Sequence, residues 1–234
     1  MIIEKQNLSG SVTNAQAKEA VEQFFAQNNY AGKRLLLIIP DNTRSGPVGD
    51  IFKMIFDCLN KKAKTLDILI ALGTHQPMPE KEICKRLSIT EAQRKSKYTS
   101  VKFFNHQWEK AETFVSIGKM PADEIEQISD GLFREEVDVA INKLIFDYDE
   151  FFILGPVFPH EVVGFSGGHK YIFPGIAGAE IINFFHWLGA VVTNPLINGN
   201  KWTPTRKVVE KAASFIKMPR KLFAIVAVEN KLKG

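Results

Sequence analysis

Residues 34–47 read RLLLIIPDNTRSGP, and this stretch decides the fold. Leu35 to Ile39 are apolar without alternation, and a proline stops the run at position 40. A strand buried on both faces has that character, as in a parallel sheet covered by helices. The polar DNTRSGP at 41–47 is then a strand exit, and GDIFKMIFDCLN at 49–60 has helical spacing. Asp41 and Arg44 therefore stand just past the carboxyl end of a strand, where ligands bind in open α/β sheets.

The same alternation extends in both directions. NAQAKEAVEQFFAQN at 14–28 reads as an amphipathic helix with Val21, Phe24 and Phe25 on one face and Asn14 as its cap. LDILIAL at 66–72 is a second buried strand, its exit loop at 72–79 carries His75, and PEKEICKRL at 79–87 is a helix with acids in its first turn. VKFFN at 101–105 leads to His106. TFVSIG at 113–118, VDVAINKLI at 137–145 and FFILGPV at 151–157 are further strand-like runs, the last leading to His160. A helix over 179–189, another over 203–216 and a strand LFAIVAV at 222–228 complete the pattern. Strands alternating with helices predict a three-layer α/β domain with a mostly parallel, Rossmann-like sheet. Parallel strands would gather His75, His106 and His160, with Asp41 and Arg44, on one rim.

Composition narrows the class. The chain has 234 residues, 45% hydrophobic and 24% charged, with a net charge of +4 and acids and bases mixed along it. KKAK at 61–64 reads as a solvated segment, so charge gives no indication of nucleic-acid binding. Cys58 and Cys84 form no CxxC pair, which points to a reducing cytoplasm rather than a disulfide framework. The amino-terminal residues lack the basic and apolar regions of a signal peptide, and no apolar run approaches the roughly 18 residues that span a membrane.

Chemistry-bearing residues concentrate in HEVVGFSGGHKYIFPGIAGAEIINFFHWLG at 160–189, which holds three of the five histidines. Gly164, Gly167, Gly168, Gly175 and Gly178 predict positive backbone φ or a close approach, and their N–H groups suit an anion cradle. The spacing is neither a Walker A loop nor a GxGxxG fingerprint. His75 and His160 are candidates for an acid/base pair, or else polar loop residues. Arg44 offers a planar fork for a carboxylate or phosphate, or an ion pair with Asp41 or Asp50. Asp41 either orients a histidine, binds a hydroxyl, or closes an Asx turn. Lys170, between His169 and an apolar run, is a candidate nucleophile or a phosphate-binding ammonium. His186, flanked by Phe185 and Trp187, is a candidate metal ligand or a core histidine bonded to a carbonyl.

Taken together, DNTR at 41–44, LGTHQP at 72–77, NH at 105–106, HEVVGFSGGHKYIFPGIAG at 160–178 and His186 resemble the lactate racemase family, whose enzymes use a nickel-pincer nucleotide. The resemblance spans roughly residues 30–230. It implies that Lys170 is joined covalently to the cofactor and that His186 is a nickel ligand. It further implies that Ser166, Gly167 and Gly168 hold the cofactor near its phosphate. His75 and His160 become alternating acid and base, Arg44 a substrate-binding group, and Asp41 a pocket residue. The implied reaction is racemisation or epimerisation of a small 2-hydroxy acid, with hydride passing reversibly to the cofactor through a transient keto acid. The implied partners are the cofactor's biosynthetic enzymes and a C-terminal domain, residues 1–234 corresponding to the N-terminal catalytic domain. Nucleic acid and membrane are not expected. The chain differs from the commoner family pattern at His169, where many relatives have arginine, and in reading DNTRSGP. A module that binds the pincer nucleotide without turnover is the alternative. A zinc-type hydrolase is disfavoured because no HExxH or close His/Cys pair occurs.

Overall fold

The computed structural model describes residues 2–7 and 10–226. Five strands form a wholly parallel sheet: β1 (Arg34–Pro40), β2 (Thr65–Ala71), β3 (Phe103–Asn105), β6 (Glu150–Val157) and β9 (Arg220–Val226), in the order β3-β2-β1-β6-β9. The chain runs outward from β1 through β2 to β3, then returns to lay β6 against the other side of β1. A crevice opens at such a reversal, beyond the carboxyl ends of the two central strands. The expected three-layer α/β architecture is therefore present.

The even-period geometry of the strands explains the layers. Leu35, Leu37 and Ile39 of β1 join Phe152 and Leu154 of β6 in one core, beneath α1 (Asn14–Ala26), α2 (Val48–Leu59) and α3 (Glu80–Arg86). Leu36 and Ile38 join Phe151 and Ile153 in the other core, beneath α6 (Ala179–Val192) and α8 (Pro204–Ser214). Burying a large aliphatic or aromatic side chain contributes roughly 1.5–3 kcal/mol, so β1 and β6 are the most firmly held strands. Short helices α4 (Glu91–Lys95), α5 (Ala122–Ile128) and α7 (Asn194–Ile197) complete the chain.

Three expectations are corrected. The strand-like runs at 113–118 and 137–145 do not enter the parallel sheet. They form β4 (Phe114–Met120) and β5 (Val137–Asn142), a separate antiparallel pair with a register shift between Ser116 and Gly118. The reason is legible afterwards: Val137, Val139 and Ile141 are buried while Asp138 and Ala140 are only partly so, the pattern of a sheet with one covered face. The cap of α1 is Thr13, not Asn14. Its side chain accepts from the Gln16 amide at 3.2 Å, and the Gln16 side chain accepts from the Thr13 amide at 3.0 Å. Finally, α6 runs on to Val192 and the last strand begins at Arg220, while positions 227–228 of the expected strand lie outside the described residues.

Two minute antiparallel strands follow β6: β7 (Pro159–His160) and β8 (Gly164–Phe165). They turn the chain back over the end of the sheet. Gly164 has φ 79°, and a Cβ there would lie 1.9 Å from the Asn200 carbonyl oxygen, so only glycine fits this crossing.

Candidate active site

A cleft of about 210 Å³ opens at the reversal between β1 and β6. Asp41 and Arg44 reach it from the exit of β1, His75 from the exit of β2, His160 and Glu161 from the exit of β6, and Lys170 and His186 from the segments that follow. The sheet thus brings together residues spread over most of the sequence.

Each side chain is set by identifiable partners. His75 Nδ1 lies 2.6 Å from Asp41 Oδ2. Asp41 is buried, and its other oxygen accepts from the Thr43 hydroxyl at 2.6 Å and the Thr43 amide at 3.2 Å. Asp41 therefore both closes an Asx turn and orients a histidine. With Nδ1–H donated to the carboxylate, His75 Nε2 retains a lone pair. Its ring is half exposed, at 52%.

His160 has the opposite arrangement. It is buried, and its Nδ1 accepts from the Val162 amide at 3.1 Å, so in the neutral ring the proton sits on Nε2. Burial, reinforced by the nearby Lys170 ammonium and by Arg44, holds its pKa down to about 4. Glu161 beside it is kept below the usual carboxylate range, chiefly by its own backbone amide and then by His160 and Lys170.

Arg44 is partly buried, with its guanidinium carbon 5.9 Å from the centre of the Phe158 ring. Asp50 pairs with Lys53 instead, and among the described residues Arg44 has no carboxylate partner. Lys170 is partly buried and likewise has no hydrogen-bond or ion-pair partner among the described residues. Burial, followed by Arg44, lowers its pKa to about 8, against the smaller opposing effects of Glu161 and Asp41. His186 is exposed, and its Nδ1 donates to the Ile182 carbonyl at 2.7 Å, one helical turn back. That bond fixes the tautomer and leaves Nε2 free to ligate. Among the described residues no group of three or more His, Cys, Asp or Glu is placed to hold a metal ion, so the side chains alone do not form a metal cage.

The glycine loop packs against the end of β6. Ser166 is buried; its hydroxyl donates to the Pro156 carbonyl at 3.1 Å and accepts from the Phe158 amide at 3.0 Å. Gly167 has φ 80°, and a Cβ there would lie 2.5 Å from a Val157 methyl group. These contacts bind the loop to β6. The cleft wall is formed by Gly73 and Gly175, joined by a Gly73 amide to Gly175 carbonyl bond of 2.9 Å, and not by Ser166, Gly167 or Gly168.

His106 does not join the rim. It is wholly buried and its Nδ1 accepts from the Asn142 amide side chain at 3.1 Å, beneath the β4–β5 pair. β3 is an edge strand, and the pair of strands laid over its exit closes off the space that the central strands leave open. Burial pushes the His106 pKa down to about 4. His169 also points away from the cleft, held between Glu210 and Arg220. The sequence reading passed over Glu161 and Thr43 as site residues. The adjacency of Glu161 to His160, and the DxT spacing of an Asx turn, were the signals available.

A family model described as the lactate racemase N-terminal domain matches residues 3–196. A lactate racemase from Thermoanaerobacterium thermosaccharolyticum is 30% identical over 152 residues, covering 64% of this chain and 31% of that protein. A crystal structure of a Thermotoga maritima protein superposes with TM-score 0.87 at 28% identity, covering 98% of this chain and 55% of the other. The lactate racemase apoprotein of T. thermosaccharolyticum superposes with TM-score 0.66 at 23% identity, covering 92% and 50%, a likeness of fold. The chain spans about half the length of these solved structures.

Proposed function

The chain belongs to the lactate racemase N-terminal domain family, and on that premise we propose that it forms the catalytic half of a 2-hydroxy-acid racemase or epimerase. The observation that carries this reading is the opposed pair of histidine tautomers across one cleft, beside a guanidinium and an amine that have no carboxylate partner among the described residues.

In this reading Arg44 takes the substrate carboxylate, for which its planar fork is suited. The substrate hydroxyl lies between the two rings. His75, with a lone pair on Nε2 and Asp41 behind it to stabilise the charged ring, accepts the hydroxyl proton. His160, neutral at pH 7 with its proton on Nε2, donates a hydrogen bond to the substrate from the opposite side. The proton held by the His75 ring returns to the same oxygen when the keto acid is reduced, so a turnover leaves both rings as they began.

The residues present fit a nickel-pincer nucleotide. A lysine whose amine has no partner among the described residues, and whose pKa is about 8, offers a fraction of neutral amine for covalent attachment. A histidine whose Nδ1 is tied to a carbonyl offers a single nitrogen suited to Ni(II). Lys170 would hold the nucleotide and His186 its metal. When bound, the cofactor supplies the acceptor for a hydride. Ser166 and Gly167 would anchor against β6 the loop that leads into the Lys170 turn.

The test is intact-mass and nickel analysis of protein produced together with the enzymes that make the cofactor, followed by chiral analysis of 2-hydroxy acids incubated with it. The expected result is an adduct on Lys170 with about one nickel per chain and interconversion of enantiomers. Lys170→Ala should lose the adduct, and an adduct of full mass on that variant would overturn the assignment. Loading without turnover would instead leave a module that holds the nucleotide.

A further inference from the structure

His169 is unused by the proposed chemistry, yet both of its ring nitrogens are engaged. Nδ1 lies 2.6 Å from Glu210 Oε2, and Arg220 Nε donates to Nε2 at 3.1 Å. Glu210 also forms an ion pair with Arg206, Nε to Oε1 at 3.2 Å, and Arg206 donates to the Phe165 carbonyl at 3.5 Å. Arg220 is anchored in turn on the Ile216 and Ala213 carbonyls at 3.0 and 3.2 Å. The network joins the 3-10 turn Gly168–Tyr171 to α8 and to the first residue of β9. Lys170 is the next residue in that turn, and Gly167 and Gly168, with φ 80° and 57°, give the turn little intrinsic rigidity.

We propose that His169, Glu210 and Arg220 are positioning residues that hold Lys170 in the cleft by clamping its turn to α8 and β9. The physical reason is that a single turn closed by a few backbone bonds does not by itself fix a long side chain. Here the Lys170 amide donates to the Gly167 carbonyl at 3.2 Å, and the Ile172 and Phe173 amides share the His169 carbonyl at 2.9 Å each. The imidazole between an acid and a guanidinium supplies the missing constraint from outside the turn. A ring that donates at one nitrogen and accepts at the other completes this bridge, which an arginine at position 169 would not do in the same way, having no acceptor.

The clamp bears on reactivity because the surroundings of Lys170 depend on its place. Arg44 and Asp41 face it from the exit of β1, His160 and Glu161 from the exit of β6, and Arg206 from α8. Burial is the largest influence lowering its pKa, and a loosened turn restores water to the ammonium.

This inference rests on the reading of Lys170 as a reactive amine, and one experiment separates the two. The full chain is treated with acetic anhydride over a pH series, and acetylation of each lysine is followed by peptide mass spectrometry. In the native protein the Lys170 rate should be half-maximal near pH 8. In Glu210→Leu and His169→Phe the midpoint should rise by about one unit, lowering the rate at pH 8 relative to its plateau about fivefold. His169→Gln, whose amide both donates and accepts, should restore most of the native profile. Glu210→Leu changes little volume at a half-exposed site, so it should remain folded if the phenylalanine variant does not. Unchanged Lys170 midpoints in folded Glu210→Leu and His169→Phe proteins would overturn the clamp. A native Lys170 that titrates with the surface lysines would overturn the reading of Lys170 itself.

Discussion

His106 and His160 both follow strands of the same sheet, both are buried, and burial lowers both to a pKa of about 4. Yet one is sealed under the β4–β5 pair against Asn142, and the other faces a cleft with Lys170 and Arg44. The difference comes from the strands that carry them. β3 is at the sheet edge, where later chain is free to pack over its exit. β6 lies beside β1, where the reversal of strand order keeps the exits apart. A perturbed histidine at a strand exit is thus not a site by itself; position relative to the reversal decides.

Substitutions test that contrast. The largest effect expected is on turnover. In cofactor-loaded protein, His160→Ala or His75→Ala should slow racemisation about a hundred- to ten-thousandfold, while covalent loading at Lys170 persists. Chiral chromatography with intact-mass analysis measures both quantities, and a His160→Ala protein with native turnover would break the contrast at its functional end.

His106→Ala should do the reverse. It leaves a cavity in the core and an unmatched Asn142, costing about 2–4 kcal/mol of stability by denaturant unfolding. If that variant melts like the native protein, the edge histidine is not the packing element described here.

Acid sharpens the comparison further. The folded pKa of His106 lies below the value of about 6.5 expected in the unfolded chain, so the unfolded chain takes up its proton first as pH falls. The stability associated with the neutral ring is whole above that unfolded value and is lost toward pH 4. Between pH 7 and pH 5 the loss is on the order of 2 kcal/mol for this histidine, with His160 acting in the same direction. Thermal melts at the two pH values, repeated on His106→Gln, should show a smaller acid shift in the variant.

The smallest effect concerns orientation. Asp41→Asn keeps the size of the side chain but removes the charge that favours Nδ1–H on His75. Turnover should fall about tenfold, with substrate affinity little changed, as for other groups that orient a reacting ring. A fall in affinity alone would place Asp41 on the substrate rather than on the histidine.

Several of these features were legible from residues alone. The unbroken apolar run Leu35–Ile39, stopped by Pro40, marked the central strand to its last residue. Histidines and acids at the ends of such runs marked the cleft. What misled the reading was position within the sheet. VDVAIN looked like one more strand of the series, and only its alternating burial against α6 showed it to be half of an antiparallel pair. Ser166, which the resemblance sets beside the cofactor's phosphate, donates its hydroxyl proton to the Pro156 carbonyl and accepts from the Phe158 amide, contacts that no local pattern records.

The sequence by itself determined the layer architecture, the strand exits and the resemblance to a family, because hydrophobic period and turn residues act locally. Only the tertiary structure decided which exits face one another. Strand order is a matter of long-range pairing, and no local pattern records that β6 returns to the far side of β1. The same holds for the proton on each histidine. His75 and His160 are the same residue type, and a carboxylate from one loop and an amide from another give them opposite tautomers.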